Sequence, residues 1–265
     1  MQSSPPTIFV DSLPKGSSVT CKDSMFFTHN GPGATFPSAD QVRVKSEAGD
    51  HVLDRKNTVI FESLGLVVKF VQRALCHCCG RPVPLVVTST SSKRPCARDL
   101  VEGVTLEKIW ESLNKEDKTG ICDQLRDMVV DLHQVKRDSN DEFLGQINRG
   151  PLQDAVFADA IRPRAGPFSS VKEFHDWFSF LFKRLAASGS HWEGYELEDI
   201  PDPYRQLLHD DPGVVFTYAD LHQSNIMVSE GWPCRVVAII DWHQSGWYPD
   251  YWEFYKAEYT NHGNP

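Results

Sequence analysis

The sequence predicts an α+β fold with a small strand-rich N-terminal part, a mainly helical C-terminal part and a β-hairpin late in the chain. Three observations carry that prediction. Thr58-Val59-Ile60-Phe61 and Leu66-Val67-Val68-Lys69-Phe70 are apolar, β-branched runs flanking the short turn Glu62-Ser63-Leu64-Gly65. From Thr105 the spacing of apolar residues becomes helical. Ile226-Met227-Val228 and Val236-Val237-Ala238-Ile239-Ile240 then flank a polar turn from Ser229 to Arg235.

The elements follow in order. Residues 1–44 are rich in Ser, Pro, Gly and Thr without clear periodicity, which predicts a mobile arm with at most one short element. Gly31-Pro32-Gly33 has no strand before it and no helix after it, so it reads as a turn rather than a phosphate loop. After the first hairpin, Leu85-Val86-Val87-Thr88 reads as a further strand. Cys96 to Glu102 reads as the connection between the two parts, with Gly103 permitting a turn. Leu106, Ile109, Trp110 and Leu113 share one helical face, and Ile121, Leu125, Met128, Val129 and Leu132 share the next. His133 ends that second helix as a packing or capping residue. Residues 139–170, broken by Gly and Pro, read as a polar loop. Ser169 or Ser170 caps a helix whose stripe of Val171, Phe174, Trp177, Phe178 and Leu181 reads as core. Tyr204 to Leu208 suggests a short helix before the apolar run Val214-Val215-Phe216.

Composition limits the partners. A net charge of −9 argues against nucleic acid, whose phosphates need clustered Lys and Arg. That charge suits a cationic or neutral small partner, and a solvated acidic surface accounts for it equally. No apolar run approaches the roughly 20 residues of a membrane span. The N-terminus lacks a basic start followed by an apolar core, so no secretory signal is read. Seven cysteines, an odd number at irregular positions, fit reduced thiols and a cytoplasmic location. The cluster Cys76-His77-Cys78-Cys79 lacks the second spaced pair of a zinc site, with Cys96 the one distant candidate.

The chemistry-bearing stretch is Tyr218-Ala219-Asp220-Leu221-His222-Gln223-Ser224-Asn225, followed by Ile239-Ile240-Asp241-Trp242. An aspartate precedes an asparagine by five residues, and a second aspartate closes an apolar run. The late hairpin brings Asn225 and Asp241 to one end of a sheet. Two oxygen ligands there suit magnesium, a hard cation that also binds phosphates and water. Asp220, on the preceding loop, is placed to orient an attacking hydroxyl. Lys69, at the end of an apolar strand, offers an ammonium to nucleotide phosphates; such a lysine in isolation is more often a strand-edge group reaching solvent. Asp and Asn also favour turns and strand ends in their own right, so the assignment rests on the joint arrangement.

The segment Phe216 to Asn225 resembles the catalytic loop of aminoglycoside phosphotransferase-like and choline-kinase-like small-molecule kinases. Ile240-Asp241-Trp242-His243-Gln244-Ser245-Gly246-Trp247-Tyr248-Pro249-Asp250-Tyr251-Trp252-Glu253 is similar to the metal-binding segment and following helix of the fungal-type branch. Leu66 to Phe70 resembles the strand with the phosphate-binding lysine. Gly80-Arg81-Pro82-Val83-Pro84 resembles a proline pair of that family, and Gly166 to Phe174 the start of its substrate-lobe helix. The resemblance runs from about Val52 to Tyr259. It implies a bilobal protein-kinase-like fold: an arm over 1–44, a nucleotide-binding N-lobe over 45–100 and a helical catalytic and acceptor-binding C-lobe over 101–265. It also implies ATP and Mg2+ as cofactors, with Lys69 on the phosphates, Asn225 and Asp241 on the metal and Asp220 as the catalytic residue. The acceptor is then a hydroxyl of a small molecule, with no nucleic acid or membrane partner. No activation segment ending in Ala-Pro-Glu points to a protein kinase instead.

Three departures stand beside the resemblance. Tyr218 and Ala219 occupy places where the family usually carries His and often Gly; the histidine is a structural brace. No acidic residue lies between Phe70 and Arg98 to pair with the lysine. The sequence stops soon after Tyr259, where the family continues with one or more helices, so a product shortened at its C-terminus is expected. These departures motivate the alternative of a catalytically impaired kinase-fold protein acting as a nucleotide- or ligand-binding or scaffold module. His222, His243, Trp247 and Tyr248 either line an acceptor pocket or pack beneath one.

Overall fold

Local register builds the first sheet. Thr58–Phe61 (β2) and Leu66–Gln72 (β3) pair antiparallel from Thr58↔Lys69 to Phe61↔Leu66. A 3₁₀ turn over Glu62–Leu64 joins them, ending on Gly65 in the left-handed region. Lys93–Asp99 (β4) pairs with the other side of β3, giving the order β2-β3-β4. The computed structural model describes residues 7–9, 24–48, 58–72, 93–99, 101–137, 142–157, 164–187 and 195–262. The chain divides into two units, one of Pro14–Glu102 and one of Met1–Leu13 with Gly103–Pro265.

In the first unit, residues read from sequence as part of an arm form two helices, Met25–Asn30 (α1) and Ala39–Glu47 (α2). Ser38 and Gln41 close a capping box at the start of α2: the Ser38 hydroxyl accepts the Gln41 amide at 3.3 Å, and the Ser38 amide donates to Gln41 Oε1 at 2.8 Å. Phe26, Phe27 and Val42 are buried with Val59, Leu66 and Val68 in one cluster. A few aromatics therefore anchor a segment whose average composition is polar. β4 corrects a second expectation, because Cys96 to Asp99 continue a strand instead of connecting two parts. Among the described residues β4 stands at the edge of this sheet, a position that tolerates a proline such as Pro95. The expected strand Leu85 to Thr88, the proline pair and the cluster Cys76 to Cys79 lie outside the described residues.

The second unit is mainly helical. Thr7–Ile8 (β1) pairs parallel with Lys136–Arg137 (β6). Gly103, at φ 131°, places its α-carbon so close to the Val228 carbonyl that a Cβ would sit 2.3 Å from that oxygen. Only glycine enters there, leading into Val104–Thr105 (β5). The helix expected from Thr105 is short, Leu106–Ile109 (α3) followed by a 3₁₀ turn. Lys115–His133 (α4) ends at His133 as expected and is capped by the Asn114 side chain accepting the Asp117 amide at 2.9 Å. Val171–Ala187 (α5) starts where Ser170 Oγ accepts the Glu173 amide at 3.2 Å. Val214–Thr217 (β7) pairs antiparallel with Gly246–Pro249 (β10). Ile226–Val228 (β8) pairs antiparallel with Val236–Ile239 (β9), and β5 covers the other edge of β8. Trp252–His262 (α6) ends the described chain. Phe157, Phe168, Phe174, Tyr248 and Trp252 share the largest apolar cluster. Helices and small sheets thus combine in an α+β chain. Among the described residues no helix is long and apolar enough to cross a membrane.

Candidate active site

Two hairpin-like pairings build the site. β7 delivers the chain to Tyr218, Ala219 and Asp220. The β8–β9 ladder pairs Ile226 with Ile239, and the Ile240 amide donates to the Asn225 carbonyl at 2.9 Å. The strand register alone therefore sets Asn225 beside the residue that precedes Asp241.

Asp220 and Asn225 are in direct contact. Asn225 Nδ2 donates to Asp220 Oδ2 at 2.8 Å and to the Asp220 carbonyl at 3.1 Å. Asn225 is buried. With its NH₂ group turned to Asp220, the amide presents its carbonyl oxygen as the acceptor on the other side. Burial raises the Asp220 carboxyl above the ordinary aspartate range, against the pull of Lys256, His243 and hydrogen bonds from Asn225 and Gln244. Asp241 adopts a left-handed backbone at φ 67°, which Asp tolerates better than most residues. Its Oδ1 lies 3.1 Å from His243 Nδ1. Among the described residues no group of three or more His, Cys, Asp or Glu side chains forms a ready-made metal cage. One carboxylate and one amide oxygen fit magnesium, which keeps several waters and takes its other ligands from substrate phosphates.

Tyr218 accounts for one departure. It is buried, its hydroxyl donates to the Ile240 carbonyl, and its ring meets Trp242 edge-on at 4.8 Å. The phenol thus braces the strand before Asp220 against the segment carrying Asp241, the brace role expected of a histidine. Ala219 accounts for the next. It is fully buried at φ 65°, a conformation that costs an L-residue about 1 kcal/mol or more and a glycine almost nothing. Glu253 holds that backbone in place: its carboxylate accepts the Tyr218 amide at 2.8 Å and the Ala219 amide at 3.1 Å. Burial pushes the Glu253 carboxyl up to about 7, although both amides favour its charged form.

Three more residues escaped sequence reasoning. Gln244 is buried, and its side-chain oxygen accepts the Ala155 amide at 2.6 Å. Lys256 and Asp154, both buried, form an ion pair at 2.7 Å. Asp154 also accepts the Trp252 indole at 3.0 Å and the Val156 amide at 2.8 Å. The available signal was Lys256 following Trp252 by one helical turn, on the same face as a large aromatic.

The four aromatic and imidazole candidates divide. Trp247 and Tyr248 pack beneath the site, with the Tyr248 hydroxyl donating to the Gln244 carbonyl at 2.9 Å. His222 turns to its own loop, its Nδ1 accepting the Ser224 amide at 3.2 Å. His243 alone of the four is substantially exposed, beside Asp241. In the other unit, the Lys69 backbone pairs with Thr58 and Cys96; its side chain lies outside those described.

No curated protein matches the chain. The model of the phosphotransferase enzyme family matches residues 38–257, a span that includes Lys69, Asp220, Asn225, Asp241 and Glu253. With most of its length matched, the chain belongs to the phosphotransferase enzyme family.

Proposed function

We propose that the protein is an ATP- and magnesium-dependent phosphotransferase that moves the terminal phosphate of ATP to a hydroxyl of a small molecule. The observation that carries this reading is the 2.8 Å hydrogen bond from Asn225 to Asp220, in a loop tied by strand register to the Asp241 segment. Asp220 holds the acceptor hydroxyl and takes its proton as the oxygen attacks the terminal phosphorus and the bond to ADP breaks. Asn225 and Asp241 would hold magnesium, which when bound supplies charge neutralisation on the phosphates. Lys69 adds a positive charge to the same phosphates. In this reading residues 45–100 serve the nucleotide, and residues 101–265 serve catalysis and the acceptor.

The test measures the melting temperature with and without magnesium-ATP, and ADP release against a panel of small alcohols. Wild type and Asp220→Asn are expected to be stabilised by magnesium-ATP, and Asp241→Ala is not. ADP release should fall by about a hundredfold or more in Asp220→Asn. Full turnover by Asp220→Asn refutes the assignment. Stabilisation of wild type without turnover assigns the chain to a binding module instead.

A further inference from the structure

α6 sets a buried carboxylate directly against the backbone that leads into Asp220. Glu253 Oε2 accepts the Tyr218 amide at 2.8 Å and the Ala219 amide at 3.2 Å, and Oε1 accepts the Ala219 amide at 3.1 Å. Ala219 thus shares its amide between both oxygens while holding φ at 65°, a conformation that persists in an L-residue only when its surroundings enforce it. The next residue is Asp220, whose carboxylate accepts the Asn225 amide at 2.8 Å.

This geometry distinguishes the two protonation states of Glu253. As a carboxylate it accepts on both oxygens, and both face amide donors. A proton taken from water onto Oε1 turns that oxygen into a hydroxyl, so a donor then faces a donor. The Ala219 amide keeps only its longer contact, to the Oε2 that already serves Tyr218. The turn loses its nearer tie at the residue before Asp220.

The charges around Glu253 decide when that proton is held. Asp154, from the chain before α5, and Asp220, from the catalytic loop, both oppose its ionisation. Lys256 lies three residues further along α6, but its ammonium is paired with Asp154 at 2.7 Å. Tyr248, from β10, is neutral, because burial and the carboxylates of Asp154 and Glu253 hold its phenol well above the usual range. Burial first, and then Asp154 and Asp220, bring the Glu253 carboxyl to about 7 in spite of the two amide bonds. Both states are therefore populated near neutral pH.

We propose that Glu253 is a proton-controlled positioning residue for Asp220: its carboxylate fixes the left-handed turn at Ala219, and a proton on Oε1 loosens it. Resting on the phosphotransfer reading above, the deprotonated state is the one that presents Asp220 to the acceptor hydroxyl. Acidification then slows transfer through a residue that touches neither substrate nor metal.

The test follows the Tyr218 and Ala219 amide resonances of the full chain, labelled with 15N and deuterium, over about three pH units centred near neutrality. In the wild type both are expected to move with a shared midpoint near 7. Glu253→Gln, close in shape to the protonated acid, should remove that midpoint. Asp220→Asn should keep it at a lower pH, because one opposing negative charge is gone. With the alcohol that gives the most ADP release, wild type and Glu253→Gln should turn over about equally at the acid end, and their ratio should rise about fivefold through the midpoint. The ratio cancels any titration the two proteins share. The proposal is overturned if neither wild-type amide titrates, if the midpoint survives in Glu253→Gln, if it vanishes in Asp220→Asn, or if the turnover ratio is constant. An amide midpoint that Glu253→Gln removes, in a protein that releases no ADP with any alcohol, overturns the phosphotransfer reading and leaves the proton control of the turn standing.

Discussion

Glu253 accepts the amide of Ala219 at 3.1 Å, at the residue immediately before Asp220. The carboxylate and the strained backbone support each other. The left-handed turn points the Ala219 amide away from any strand ladder, and Glu253 satisfies it from α6, 34 residues later. Placement of Asp220 therefore depends on a residue far outside the Tyr218–Asn225 segment.

Glu253→Ala leaves two buried amides without an acceptor. An unpaired buried donor costs about 1–3 kcal/mol, so the loss should be on the order of 3 kcal/mol. Glu253→Gln keeps one acceptor oxygen and removes a buried charge, so its loss should be clearly smaller. Urea unfolding of the three proteins checks this, and equal losses for both variants would contradict it.

Burial sets a pH dependence. The folded Glu253 carboxyl titrates at about 7, against an ordinary value of 4.5. Between those two values the folded state binds more protons than the unfolded chain, so stability falls as pH rises. The contribution is complete below about 4.5 and lost above about 7. Relative to Glu253→Gln, wild type should lose on the order of 3 kcal/mol across that window. Chemical denaturation at a series of pH values reads the difference, and a difference that stays flat from 4.5 to about 7 would show that Glu253 is charged throughout that range.

Tyr218→Phe keeps the ring against Trp242 and removes the donor to the Ile240 carbonyl. A stability loss of about 1–2 kcal/mol is expected from the unpaired carbonyl. The magnesium concentration giving half-maximal stabilisation by ATP should rise as well, because the Asp241 segment loses its tie to β7. A variant with wild-type magnesium dependence would confine the hydroxyl to a purely structural role.

Lys256→Met strands the Asp154 carboxylate in the core. Breaking one side of a buried pair costs about 3–5 kcal/mol. The double variant Asp154→Asn/Lys256→Met removes both charges and retains an oxygen for the Trp252 indole, so it should recover part of that loss. A double variant less stable than the single one would show that the carboxylate has another cationic partner.

Sequence alone settled what depends on neighbours in the chain. The β2–β3 hairpin, the end of α4 at His133, a serine cap at Ser169 or Ser170 and the β8–β9 pairing are encoded in periods of two or 3.6 residues and in cap chemistry. The same local logic placed Asn225 and Asp241 at one sheet end. Composition averaged over 1–44 hid α1 and α2, because three phenylalanines and one capping box define them within a polar stretch.

Tertiary structure decided which polar groups are buried and what meets them. Asp154 reaches Lys256 across 102 residues, and Glu253 reaches Tyr218 across 35. Before folding brings these groups together, a Lys in a helix or an Asp in a loop is indistinguishable from a solvated surface residue. Desolvation makes each of them costly to bury alone, and only a partner supplied by a distant element offsets that cost.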